Sequence, residues 1–270
     1  KDSIEQNGKT IHRLLAGKDS NKDQSYFLCQ LNQYQLSKAL FPIGELTKPE
    51  VREIAKELDL VTAEKKDSQG LCFIGKVRLP DFLQQQLQPK KGQILEVPND
   101  SSAFQTGYNG HLPAPLTDTD LVALSQPYTL QKSDGEVVGE HQGAHYFTVG
   151  QRKGLNVGGK IEPLFVIGTD VKENLIYTGQ GSEHKGLQRW GLSVDEPDIH
   201  WVREDLAINI GEEASYQVRF RYRQTLEKAT LYRREGKLFV IFDTPQKAIT
   251  AGQFVAWYQG DELIGSGTIE

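Results

Sequence analysis

The sequence predicts a mixed chain, helical up to about residue 90 and built from short β-strands beyond it. Up to that point apolar residues recur at spacings of three and four. Beyond it the apolar pattern alternates with a period of two, broken by glycine, aspartate and asparagine. The length of 270 residues exceeds one ordinary domain and suggests two or three.

Residues 21–41 read as the first helix, with Phe27, Leu28, Leu31, Leu36, Ala39 and Leu40 on its apolar side. Residues 47–60 follow as a second. Thr47 and Glu50 are spaced as a capping box, Pro49 suits a first turn, and Val51, Ile54, Ala55 and Leu58 form one stripe. Residues 80–88 look like a short helix opened by Pro80. The stretches GQILEV, GAHYFTVG, LFVIGTDV, NLIYTGQ, SYQVRFRYRQ, ATLYRR, LFVIFD, QFVAWYQG and ELIGSGTI then read as strands of barrels or sandwiches. Segment 98–133, rich in Ser, Pro, Asp and Thr, reads as a long surface insertion. The resulting division is 1–79, 80–187 and 188–270.

Composition narrows the function. The formal net charge of −5 counts against general nucleic-acid binding, although a local patch can override a total. No apolar run is long enough to span a membrane, and no basic-then-apolar leader opens the sequence. Two cysteines do not make a disulfide scaffold, so a reducing cytoplasm is the expected compartment. The chain has no methionine and begins at Lys1, which reads as a fragment or a processed chain.

Several motifs carry candidate chemistry. GLNVGGKI (154–161) has the glycines and lysine of a phosphate loop, but Ile161 stands where a magnesium-binding hydroxyl belongs and a strand follows. A glycine-rich turn is the better reading. His141 and His145 have helical metal spacing, but Gly143 lies between them and no third ligand is in view. In residues 217–237 seven basic side chains (Arg219, Arg221, Arg223, Lys228, Arg233, Arg234, Lys237) face two acidic ones, Glu227 and Glu235. On a strand Arg219, Arg221 and Arg223 would share one face, suited either to phosphates or to plain solvation. Cys72 follows Gly70 and is surrounded by Lys65, Lys66, Lys76 and Arg78, cations that favour a thiolate. Cys29 lies in an apolar pattern and reads as packing.

The stretches NKDQSYFL (21–28), FPIGELTKPEVREIA (41–55), KKDSQGLCFIG (65–75), GEHQGAHYFTVGQRKGL (139–155) and RYRQT (221–225) together resemble the bacterial tRNA-specific 2-thiouridylases. They spread in order over nearly the whole chain. The resemblance implies the helical end of an α/β PP-loop ATP-pyrophosphatase domain, a central β domain and a C-terminal, tRNA-binding β-barrel. It implies a transferase that uses ATP and Mg2+ to adenylate the C2 oxygen of the wobble uridine. Sulfur from a cysteine persulfide then replaces that oxygen and AMP leaves. A second cysteine releases the sulfur and forms a disulfide with the first.

Carried over motif by motif, the resemblance makes Cys72 the persulfide cysteine. Lys22, Asp23 and Gln24 become tRNA contacts, with Arg221, Tyr222 and Gln253 on the barrel. The implied partners are a tRNA with a wobble uridine, of the Lys, Glu or Gln type, and a persulfide-donating sulfur-relay protein, with no membrane. The SGGVDSS loop that binds ATP and the other catalytic cysteine have no match here, so the expectation is a missing N-terminal part and an inactive fragment. Segment 98–133 reads as extra to the family pattern. The competing class is a non-catalytic RNA-binding β-barrel module, which would need no cation-flanked thiol.

Overall fold

The computed structural model describes residues 1–65, 82, 87–104 and 112–270. The helix expected at 80–88 lies outside the described residues except for Phe82, which is helical. In chain order the main elements are β1 (Asp2–Gln6), β2 (Lys9–Leu15), α1 (Gln33–Lys38), α2 (Lys48–Glu57), β3 (Gly92–Glu96), α3 (Asp118–Ser125), β4 (Glu136–His141), β5 (Leu164–Asp170), β6 (Leu175–Gln180), β7 (Gln188–Asp195), β8 (Ile199–Trp201), β9 (Glu213–Arg219), β10 (Glu227–Arg234), β11 (Lys237–Lys247), β12 (Phe254–Gln259) and β13 (Glu262–Thr268). They form two compact units. One comprises Lys1–Lys66, Gly191–Asp243 and Ala251–Glu270, the other Asp67–Trp190 and Thr244–Thr250.

The first unit holds a nine-stranded sheet whose hydrogen-bonded order runs β1-β2-β13-β12-β9-β10-β11-β7, with β8 also on β13. Its edge is a hairpin that the sequence reading had left without structure. Asn7 and Gly8 both take left-handed dihedrals (φ 50° and 72°), the conformation a two-residue hairpin turn requires. β2 then pairs with β13, Leu15 opposite Glu262. The core is dense around Leu36, Val218, Phe220, Leu231, Phe242, Trp257 and Tyr258, all fully buried. At Gly265 a Cβ would lie 2.7 Å from the Trp257 ring and 2.6 Å from the His200 carbonyl. Only glycine lets the buried indole sit against its cross-strand partner.

The helix expected over 21–41 is instead two short pieces. Ser25–Leu28 form a single 3-10 turn, and α1 starts afresh at Gln33. Asn32 splits them. Its side chain accepts from Gln35 N at 2.9 Å while Gln35 Oε1 accepts from Asn32 N at 3.0 Å, a local cap that overrides the apolar spacing. α2 forms where its capping residues and Pro49 place it, with Glu50 accepting from Thr47 N. Of its apolar stripe Ile54 and Leu58 stay exposed, at 41% and 65%, while Val51 and Ala55 are half-buried.

In the second unit four strands pair in the order β4-β3-β6-β5, with β3 and β6 parallel. One core cluster gathers Leu95, Val97, Phe104, Ile167, Tyr177 and Leu187, another Ile94, Leu155, Leu164, Val166 and Ile176. Segment 98–133 is not a surface loop throughout. Phe104 is in the core, α3 buries Leu121 and Leu124, and the Arg189 guanidinium donates to the Ser125 carbonyl at the end of α3. The strand expected at GAHYFTVG is also absent. Residues 144–146 make a 3-10 turn because the Asn174 side chain captures Ala144 N at 2.9 Å.

Two histidines pin turns of this unit in the same way. His141 Nδ1 accepts from Gly143 N at 2.9 Å, and its Nε2 contacts the Asn174 carbonyl at 3.2 Å. His184 Nδ1 accepts from Gly186 N at 3.1 Å, and its Nε2 contacts the Val97 carbonyl at 3.1 Å. A backbone N–H on Nδ1 and a carbonyl on Nε2 select the neutral Nε2–H tautomer in both rings. Burial lowers both pKa values below the ordinary imidazole range.

Candidate nucleic-acid interface

The first unit brings together segments that lie almost 200 residues apart. Gln24 Nε2 donates to the Tyr222 hydroxyl at 3.0 Å, across 198 positions of sequence. Tyr26 reaches between the same strands. Its hydroxyl lies within hydrogen-bond distance of the Phe220 carbonyl (3.1 Å) and the Phe254 carbonyl (2.9 Å), which ties the residue after β9 to the start of β12. Burial pushes the Tyr26 phenol up to about 12, so it stays a donor.

Under this surface lies a polar core built on Asp23. The carboxylate is 4% exposed. Oδ1 accepts from Gly17 N at 3.1 Å and Ser25 N at 3.0 Å. Oδ2 accepts from Ser25 Oγ at 2.9 Å and pairs with Arg219 Nη1 at 3.1 Å. The Arg219 guanidinium also lies 4.7 Å over the Tyr258 ring, and the Tyr258 hydroxyl meets Ser25 Oγ at 3.1 Å. Asp23 therefore points inward, while its neighbours Lys22 (half-buried) and Gln24 (exposed) point outward. Alternation around a turn pinned on its middle residue dictates this arrangement.

The arginine face expected on the strand does not form. β9 ends at Arg219, which is buried. Phe220 N then takes Gln224 Oε1 at 3.0 Å instead of a ladder partner, and Arg223 adopts φ 64°. Once the strand stops, period-two alternation no longer applies. Arg221 and Arg223 sit on a turn, 4.9 Å from the Phe220 ring centroid and 5.3 Å from that of Tyr222. Burial lowers the Arg221 pKa from its ordinary value, with the Tyr26 hydroxyl opposing. Gln253 is half-buried, and its shielded Oε1 finds no hydrogen-bond donor among the described residues.

Phe27 is a neighbour of this site that sequence reasoning missed as a candidate. The apolar spacing placed it in a helix core, yet it is 60% exposed, with its ring 4.7 Å from Tyr222. Cys72, with Lys66, Lys76 and Arg78, lies outside the described residues. Cys29 is 1% exposed, and burial pushes its thiol up.

Loop 154–161 does not have the form of a phosphate loop. The loop 154–161 leads into β5 rather than a helix, and Lys160 pairs with Glu96. Among the described residues no three His, Cys, Asp or Glu side chains gather as metal ligands. No described helix is long and apolar enough to cross a membrane.

A buried acid–arginine pair under a polar, aromatic and cationic rim marks this surface as a candidate site, and the family comparisons say which family carries it. Residues 2–76 match the model described as the tRNA methyl transferase HUP domain, residues 123–180 its PRC-barrel domain, and residues 193–269 the aminomethyltransferase β-barrel domain. The tRNA-specific 2-thiouridylase MnmA of Christiangramia forsetii is 60% identical over 272 residues, covering 100% of this chain and 67% of that protein. The protein of the same name from Flavobacterium johnsoniae is 60% identical over 270 residues with the same coverage. That of Bacillus subtilis is 43% identical over 259 residues, covering 96% of this chain and 59% of that protein. The chain belongs to the tRNA-specific 2-thiouridylase family.

Proposed function

We propose that this chain carries the tRNA grip and the sulfur-bearing cysteine of an ATP-dependent tRNA-uridine 2-sulfurtransferase, which gives 2-thiouridine at the wobble position. The single observation that carries the reading is the Gln24–Tyr222 hydrogen bond, which unites two contact segments expected from the sequence. The domain models name methyl transfer, but the relatives aligned over the full chain at 60% identity name thiolation, and that longer match weighs more.

In this reading Lys22, Gln24, Arg221, Tyr222 and Gln253 face the RNA, and Asp23 shapes the surface from beneath. A uridine must leave its stack to be modified, so the protein has to hold the stem and loop around it. Cys72 carries the transferable sulfur, delivered as a persulfide by a relay protein, because exchange proceeds through a thiolate. ATP binding is assigned to no residue of this chain. The sequence holds no SGGxDS run, which supports a chain of 270 residues that does not thiolate tRNA by itself.

The test loads the chain from a persulfide donor and measures tRNA affinity over a salt series. The expected result is a gain of one sulfur atom in mass, lost on reduction and absent in Cys72→Ser, together with salt-dependent tRNA binding. Binding without sulfur uptake would favour a non-catalytic RNA-binding module. Thiolated tRNA made by this chain with ATP would overturn the assignment of ATP chemistry elsewhere.

A further inference from the structure

Phe27 is a phenylalanine packed against two neighbouring rings yet left largely in solvent. Its backbone N–H donates to the Gln24 carbonyl at 3.0 Å within the 3-10 turn. Ser25 and Tyr26 of that turn are drawn inward by Asp23 and by the carbonyls of Phe220 and Phe254, which leaves Phe27 facing outward. Its ring is braced from two sides, tilted 43° on Tyr222 at 4.7 Å and edge-on to Tyr26 at 5.7 Å. Tyr222 is in turn fixed by Gln24 at its hydroxyl, with the Arg223 guanidinium 5.3 Å from its ring centroid. Scattered exposed hydrophobic residues are ordinary, but this one packs on a tyrosine that Gln24 holds at its hydroxyl and that the Arg223 guanidinium lies over.

We infer that Phe27, backed by Tyr222, is a stacking platform for an unpaired base of the tRNA that this chain holds. The inference rests on the tRNA reading above. A rigid aromatic surface loses little conformational freedom when a base stacks on it, and cations alongside hold the backbone that carries the base. Such a contact reads the presence of an unstacked base rather than its identity, because every base offers a π-face. It separates a loop from a duplex, which phosphate contacts alone do not do.

The test uses the full 270-residue chain, an anticodon stem-loop and a loop-free duplex of the same stem. A set of stem-loops carries 2-aminopurine at one loop position each. With Phe27→Ala, stem-loop affinity should fall about tenfold, with the salt slope and the duplex affinity unchanged. One loop position should show fluorescence quenching with the parent chain and none with Phe27→Ala or Phe27→Leu, while Phe27→Trp restores it. Thermal unfolding of each variant, expected to match the parent, controls for folding. Unchanged stem-loop affinity and quenching in Phe27→Ala would overturn this inference while leaving the tRNA reading intact. Equal losses on stem-loop and duplex would overturn it too. Failure of the parent chain to bind any of these RNAs would overturn the tRNA reading and this inference together.

Discussion

Asp23 and Arg219 meet at 3.1 Å with both side chains buried, beneath a surface whose sequence reads as charge offered to solvent. An expected RNA contact, Asp23, is thus satisfied by an arginine of the face expected to meet phosphates or solvent. Breaking a buried pair leaves one charge desolvated and alone. Asp23→Ala should destabilise the first unit by about 3–5 kcal/mol, and Asp23→Asn by less, since it keeps the shape and part of the hydrogen bonding. Chemical denaturation of both variants checks this, and loss of tRNA binding should follow the unfolding rather than precede it.

Arg221 lies outside that pair, on the turn after β9. Arg221→Ala should weaken tRNA binding and reduce the log–log salt slope by about one, because one phosphate contact releases about one counterion. Arg234→Ala, at the far end of β10 beside Tyr232, should change the slope less. Affinity over a salt series measures both, with circular dichroism as the folding control. An unchanged slope in Arg221→Ala would return the turn to simple solvation.

His141 and His184 are buried with pKa values held below the ordinary 6.5 by desolvation. Unfolding restores the higher value, so below pH 6.5 the unfolded chain binds more protons than the folded one. Their stabilisation is complete above pH 6.5 and is lost as pH falls toward the lowered folded values. The thermal midpoint of the second unit should therefore drop on acidification from pH 7 to about pH 5. His141→Gln and His184→Gln should each lower the midpoint at neutral pH and flatten the acid limb. A midpoint independent of pH over that range would contradict the neutral tautomers.

Cys29 sits against Leu14, Leu36 and Tyr258. In a Cys72→Ser chain it should resist thiol reagents in the native state and react only on denaturation, since burial holds the thiol protonated. Cys29→Ala should cost about 1 kcal/mol from lost packing. Cys29→Ser should cost somewhat more, about 1–3 kcal/mol, if its hydroxyl stays unpaired. Rapid native labelling would place the thiol outside the core.

The strands were the most legible part of the sequence. β3, β5, β6 and β10 to β13 fall where short apolar and β-branched runs bounded by turn residues put them, a signal that holds for strands buried on one face or on both. The hairpin over residues 2–15 was missed although Asn7-Gly8 is a strong two-residue turn signal, because its flanking strands bury little. The helix over 21–41 failed for the opposite reason. Its apolar spacing was real, but Asn32 and Asp23 offered the backbone better local hydrogen bonds. For the candidate site, the structure brings the expected segments together but turns several side chains in directions the sequence did not give. Nothing local in RFRYR marks where the strand ends, since Gln224 ends it by a side-chain hydrogen bond. The pairing of Asp23 with Arg219 depends on which strands become neighbours.

The β2–β13 pairing also bears on synthesis. Leu15 must wait for Glu262, so the first hairpin emerges from a ribosome about 250 residues before its neighbour exists. At bacterial elongation rates of ~5–20 residues per second that interval is roughly 10–50 s. Throughout it β2 presents an unpaired edge, and the Tyr26 and Asp23 segment lacks the partners that bury it. Native order in this unit is therefore limited by long-range closure rather than by local helix or hairpin formation. The surface joining Gln24 to Tyr222, assembled from both ends of that closure, is the last part of the unit to form.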